Sequence, residues 1–243
     1  MTAQLRIKFP CGWGGKRKGA GRKPKGSRPS EKHKTRPRLL ASQPVHVTLR
    51  VARDLEWLRT RDMLKAIRWA TLSVATRENF RIVHLSVQGN HIHLICEAEH
   101  RLALAAGVQA FEISAARHIN VVASKRRRQP RRGTVFPDRY HSRILKSPTA
   151  VKHAINYVLN NWRHHREDRK RFAKGWLVDP FSSGISFTGW TELEDQLTMW
   201  QPSSPTYQAL WVWRPKTWLL KHGWQRVGKI SVRDVPGELI SAA

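Results

Sequence analysis

Apolar and polar residues begin to alternate at Pro44. The run Val45-His46-Val47-Thr48-Leu49-Arg50-Val51 has the period of two of a strand with one buried face. Met63, Leu64, Ile67, Ala70, Leu72 and Val74 then recur at helical spacing and predict a helix over residues 62–78. Residues 80–87 and 91–97 are strand-like, and the turn signal Gln88-Gly89-Asn90 between them predicts a hairpin. A long helix is predicted over 102–124, followed by a basic loop, Lys125-Arg126-Arg127-Arg128. Two short strand-like runs come next, at Val135-Phe136 and over 140–145. A last helix is predicted over 148–165, with Ser147 as its N-cap and Pro148 at its first position. The order β-α-β-β-α-β-β-α predicts an α+β domain: a ferredoxin-like antiparallel sheet with flanking helices, an extra strand and a trailing helix.

The two ends of the chain follow other rules. The first 40 residues hold thirteen Lys or Arg against the single acid Glu31, with little apolar surface to bury, which predicts a largely disordered arm. The stretch from Asp179 balances six Lys or Arg with six Asp or Glu and carries Trp190, Trp200, Trp211, Trp213, Trp218 and Trp224. Its tryptophans suit either stacking on unpaired bases or packing of the tail onto the domain, and packing is the favoured expectation. The predicted organisation is a basic arm over 1–43, a domain over 44–175 and a Trp-rich extension over 176–243.

Charge narrows the function. Forty-five Lys and Arg against 17 Asp and Glu give a formal +28, which calls for a polyanionic partner. With no apolar run long enough for a transmembrane helix and no signal-peptide core, a cytoplasmic protein bound to nucleic acid is expected rather than a membrane protein. Two cysteines, Cys11 and Cys96, make neither a disulfide framework nor a zinc pair, and Cys96 reads as a small buried hydrophobe. In the arm, Lys16, Arg17, Lys18, Arg22, Lys23 and Lys25 resemble an AT-hook, with Lys23 standing between Arg22 and Pro24 where the hook has its Gly-Arg-Pro core. An extended basic arm of this kind can follow a narrow, electronegative groove. Arg126, Arg127, Arg128 and Arg139 are further candidate DNA contacts.

The candidate chemistry starts at His91-Ile92-His93. On a strand both imidazoles share a face and could chelate one divalent ion, while Ile92, Leu94 and Cys96 point to the core. On the last helix Val151, Ala154, Ile155, Val158, Leu159 and Trp162 gather into one apolar stripe. Tyr157 and Asn161, four apart, are neighbours beside that stripe, with His153 and His164 on the same side. Tyr140 and Tyr207 complete the tyrosines; Tyr140 sits on an expected strand beside Arg139, and Tyr207 in the Ser-Pro-rich tail.

Taken together, these elements resemble the single-tyrosine HUH transposases. The segment from Gln88 to Ile95 is similar to that family's histidine hairpin, Phe136-Pro137-Asp138-Arg139-Tyr140 to its Phe-x-x-Arg-aromatic segment, and Ala154 to Asn161 to its catalytic helix. Trp162 stands where many members have Pro. The basic arm and the chain length resemble the REP-associated tyrosine transposases within that group. The resemblance spans roughly residues 44–175. It implies a metal-dependent endonuclease that cuts and rejoins single-stranded, hairpin-forming DNA as a monomer or homodimer. Tyr157 would be the nucleophile, and His91, His93 and Asn161 would hold Mg²⁺ or Mn²⁺. No nucleotide cofactor is expected, since the chain has no phosphate-binding Gly-x-x-x-x-Gly-Lys-Ser/Thr loop. Three other readings stay open: a catalytically silent, domesticated DNA-binding protein on the same fold, a ribosome-associated or RNA-binding protein, and a two-histidine metallohydrolase using water. For the last, Glu97 and Glu99 are the only carboxylates close in sequence.

Overall fold

Four of the expected strands form, and they pair as one antiparallel sheet in a computed structural model that describes residues 36–55, 57–173, 175–193 and 207–237. The elements are β1 (Val45–Arg50), α1 (Arg61–Leu72), β2 (Phe80–Val87), β3 (His91–Ala98), α2 (Arg101–Arg127), β4 (His141–Ile144) and α3 (Pro148–His164). The strand order β2-β3-β1-β4 is that of a ferredoxin-like sheet with helices on both faces. The fold is therefore α+β, as the alternation predicts.

Strand periodicity divides the buried residues between two cores. Val47 and Leu49 of β1 and Ile92, Leu94 and Cys96 of β3 face α1 and α2, where they meet Ile67 and Phe111. Val83 and Ile95 face the other way, against Val151, Ile155, Val158 and Leu159 of α3. Local chemistry at the helix ends matches this layout. Ser147 Oγ caps α3 by accepting from Ala150 N at 3.2 Å, and Pro148 needs no donor partner there.

Three boundaries differ from the sequence expectation. Helix α1 stops at Leu72 because the Ser73 hydroxyl donates to Ala70 O at 2.7 Å and turns the chain out of the helix. The segment Lys125-Arg126-Arg127 is not a loop but the last turn of α2, where cations suit the carbonyl end of the dipole. That helix ends at Arg128, whose φ of 53° is left-handed, just before Pro130. The run at Val135-Phe136 does not form a strand: Val135 O accepts one bond, from Ala52 N at 2.8 Å, and Pro137 removes the next donor.

The C-terminal tail covers the open edge of β2. Val87 N donates to Phe181 O at 2.8 Å, Leu85 N to Ser183 Oγ at 3.0 Å and Trp213 N to Ile82 O at 2.9 Å. The last bond falls at the β-bulge between Ile82 and His84, where the regular ladder is broken. Trp190 and Trp224 are buried against α3 with Phe187, Ile230 and Val232, so these tryptophans pack as expected. Trp218 stays exposed, and Trp200 lies outside the described residues.

One buried charge cluster ties the tail to the rest. Arg59 donates from Nη1 to Asp179 Oδ2 at 2.8 Å and from Nη2 to Oδ1 at 2.9 Å, with its Nε 3.7 Å from Glu167 Oε2. Its Nη1 also reaches Val87 O at 3.0 Å. Removing one partner strands the other charge in a dry site, so Asp179→Ala is expected to lower unfolding stability by about 3–5 kcal/mol, read from urea denaturation. A loss below about 1 kcal/mol, the level of an exposed pair, would contradict this account.

Candidate active site

β3 presents its two histidines on the α3 side of the sheet, next to β1. Thr48 of β1 pairs with His93 in the strand register, and His46 lies on the same face two residues earlier. The two imidazoles converge: His91 Nε2 and His93 Nε2 are 2.9 Å apart. Their other nitrogens are already engaged. His91 Nδ1 lies 2.7 Å from Asn90 Oδ1, and His93 Nδ1 lies 3.1 Å from His46 Nε2 and 3.2 Å from Thr48 Oγ1. If each Nδ1 carries the proton and donates to those partners, two bare Nε2 lone pairs face one another. A cation between them relieves that repulsion. Two nitrogens at a right angle on an ion, each about 2.1 Å away, would stand about 3.0 Å apart, close to what is found.

Helix α3 brings its side chains to this pair from above. The Tyr157 ring lies 5.2 Å from His93 and 5.9 Å from His46, edge-on to both. One turn further on, Asn161 is fully buried, and neither of its amide atoms has a hydrogen-bond partner. Another turn on, the His165 ring lies 6.4 Å from His91. Asn161 thus stands between two residues that flank the histidine pair. An unsatisfied buried amide costs free energy unless something occupies its oxygen. Among the described residues no group of three or more His, Cys, Asp or Glu could hold an ion, and the unpartnered Asn161 amide is a candidate third donor. The donor set of two imidazoles and one amide oxygen fits a divalent ion of the Mg²⁺ or Mn²⁺ kind.

Burial sets the protonation states. It lowers His46 to about 4, with help from His141, Arg143 and His91, and His91 to about 4, with help from His165 and Arg50. His93 is held well below the usual imidazole range by burial, then by His46, His91 and His165. The ligand candidates are therefore neutral at physiological pH. Burial raises the Tyr157 hydroxyl above its ordinary value, and the nearby Asn161 amide draws it partly back without meeting hydrogen-bond geometry.

Tyr157, His91, His93 and Asn161 thus come together as the sequence suggests. His153 and His164 do not join them: both are exposed, and His165 takes the place expected of His164. His46, Thr48 and His165 were not singled out in the sequence. Pairing β1 with β3 would have revealed the first two, since Thr48 falls opposite His93. Of the other tyrosines, Tyr140 is 8% exposed under the Arg36 guanidinium, 3.6 Å from its ring, and Tyr207 packs on Trp176 and Phe181. Arg126, Arg127, Arg128 and Arg139 are exposed. Arg126 also bonds Thr60 Oγ1 at 2.8 Å, and Arg127 contacts Asp54. Lys16, Arg17, Lys18, Arg22, Lys23 and Lys25 lie outside the described residues.

The model of the family described as "Transposase IS200 like" matches residues 41–161, a span that holds both histidines, Tyr157 and Asn161. The chain belongs to the IS200-like transposases. It is thus a transposase that acts on DNA. No curated protein matches it. Among solved structures, a REP-associated tyrosine transposase bound to a REP hairpin is similar at 15% identity and a TM-score of 0.46, over 63% of this chain and 82% of that one. No described helix of this transposase is long and apolar enough to cross a membrane.

The buried histidines make stability depend on pH. The unfolded chain takes up these protons near pH 6.5, whereas folded His46, His84 and His91 resist them until about 4. Between those values the unfolded state binds more protons. The stabilisation is complete above about pH 6.5 and is lost as pH falls towards 4. Glu112, pushed up to about 7 by burial, works against them. Denaturation of metal-free protein is expected to give a stability that falls from pH 6.5 to 4.5, and less steeply in His84→Gln. A flat profile would remove the basis for neutral buried imidazoles.

Proposed function

We propose that this transposase cleaves and rejoins single-stranded DNA through a covalent 5′-phosphotyrosine on Tyr157, with a divalent metal held by His91, His93 and Asn161. The observation that carries this reading is the meeting of a half-buried phenol, two facing Nε2 atoms and an orphaned amide at one spot. Mg²⁺ or Mn²⁺ bound there would neutralise charge on the non-bridging oxygens of the scissile phosphate.

The protein's own groups do the rest. Tyr157 Oη forms the new bond to phosphorus and loses its proton, the P–O3′ bond breaks, and the departing 3′ oxygen gains a proton. A phenol is protonated at neutral pH and burial raises this one further, so attack calls for deprotonation helped by the bound metal and substrate. The phosphodiester energy is retained in the tyrosyl ester, so the free 3′-hydroxyl of another strand can reverse the step without ATP. His46 and Thr48 fix the His93 ring, and Asn90 fixes His91. The basic arm and the chain length, which resemble the REP-associated branch, support hairpin-forming or palindromic repeats as substrate.

Incubation with hairpin-bearing single-stranded DNA and Mn²⁺ is expected to yield a covalent adduct, mapped by mass spectrometry to Tyr157. Tyr157→Phe should abolish adduct and strand transfer while leaving DNA affinity nearly unchanged. His91→Ala or His93→Ala should lower cleavage by about 100-fold or more, with a milder loss for Asn161→Ala, whose oxygen water can replace. Cleavage by His93→Ala in EDTA at the wild-type rate would end the metal assignment, and an adduct on Tyr140 would end the Tyr157 assignment.

Phosphate contact by the arm makes a second expectation. Deleting residues 1–35, which spares Arg36 and the buried Leu39, should weaken DNA binding and flatten its dependence on salt while the domain stays folded. Unchanged affinity and unchanged slope would show that the arm binds nothing.

A further inference from the structure

The most exposed of the described tryptophans lies against the hairpin turn that leads into His91. Trp57 is 52% exposed, against 47% for Trp218 and 45% for Trp69. It follows β1 in a loop that the hairpin turn holds: Val51 N donates to Asn90 O at 3.0 Å and Leu58 N to Gly89 O at 2.9 Å. Leu58 is fully buried and Arg59 nearly so, so the backbone on that side of Trp57 is anchored. The six-membered ring rests on Gly89 so closely that a Cβ there would collide with it. Gly89 is two residues before His91. On the α3 side, Lys170 Nζ lies 5.2 Å from the ring, held by Glu167 at 2.9 Å. Trp57 therefore sits between the turn that carries the histidines and the segment that follows His165.

The other exposed tryptophans have duties within the chain. Trp69 stands edge-on to Trp211, which Arg68 covers at 3.5 Å while bonding Ala209 O, so this stack clamps the tail onto α1. Trp218 backs against Gly223 under Arg226. Trp57 buries little and leaves half of a large aromatic surface in water. That costs free energy, and a bound apolar ring would recover it.

We propose that Trp57 is a stacking platform for one unpaired nucleobase of the DNA strand whose phosphate reaches the His91–Tyr157 centre. The proposal rests on the single-strand reading above. A base has the flat π-face that an indole takes, whatever its sequence. Lys170 is 42% exposed and meets the ring in a cation–π contact. Stacking is stronger, so an arriving base displaces the ammonium, which then pairs with the phosphate of the same nucleotide. Fixing that nucleotide positions the neighbouring phosphate against the phenol, and Trp57 is in this sense a positioning residue.

The test uses the full chain carrying Tyr157→Phe, so that binding is read without cleavage. The probe is a fluorescein-labelled oligonucleotide that folds into a hairpin with unpaired flanks, made intact and with one abasic nucleotide stepped through the flanks. Anisotropy then gives Kd for each strand. Trp57→Ala is expected to weaken binding of the intact strand about fivefold or more, and Trp57→Phe to recover most of it. At one abasic position the unsubstituted Trp57 protein should show the same loss, with no further loss in Trp57→Ala. Trp57→Leu keeps an apolar cover over Gly89, so it behaves like Ala if stacking matters and like Trp if only packing does. An unchanged affinity in Trp57→Ala and Trp57→Leu, or a loss that is the same on every abasic strand, overturns the proposal. Failure of the wild-type chain to form an adduct would sink the tyrosine mechanism and leave this binding test standing.

Discussion

Arg59 is the point at which four separate parts of the chain are held to one another. Its guanidinium reaches the end of β2 at Val87, the turn after α3 at Glu167 and the tail at Asp179. A buried ion pair adds little net stability over an apolar equivalent, because desolvation offsets the attraction. What it adds is a unique answer: a displaced α3 would leave a charge without its partner. The register of α3 over the sheet decides whether Tyr157, Asn161 and His165 stand over His93 and His91 or beside them. The Arg59 cluster thus ties the turn after α3 to β2 and the tail, alongside the apolar core that holds α3 on the sheet.

The centre itself is poised by desolvation. Three imidazoles packed within hydrogen-bonding reach of one another cannot all be charged, and burial keeps them neutral, with lone pairs available. The same burial raises the Tyr157 hydroxyl further above its ordinary value. One environment therefore favours the neutral form of both the imidazoles and the phenol. Asn161 shows the local cost, since both of its amide atoms are buried without partners. Unsatisfied groups of this kind concentrate where a binding event is meant to complete them.

Much of this was legible in the sequence because it rests on periods. Alternation placed His91 and His93 on one face, helical spacing placed Asn161 beside Tyr157, and Ser147-Pro148 marked the start of α3. What was not legible depended on pairing between distant segments. His46 looked like any polar position on an alternating strand until β1 was set against β3. His165 was passed over for His164 because the direction of the last helical turn is a matter of packing rather than spacing. The basic run at Lys125 read as a loop, yet lysine and arginine are good helix formers and nothing stops α2 before Pro130. The tail's tryptophans gave no hint of where they dock, since no period links them to β2.

The docking of that tail has a consequence for how copies of this transposase can associate. A sheet with an open edge invites a second chain to continue it, strand against strand. Here β2 is already satisfied from within by Phe181, Ser183 and Trp213, as though the molecule had supplied its own neighbour. Any assembly that continues the sheet from one subunit into the next must use β4, or must first peel the tail away. Because Asp179 sits two residues before Phe181, peeling would also break the Arg59–Asp179 pair. Extending the sheet at β2 would therefore strand the buried charge of Arg59 at the turn that follows α3.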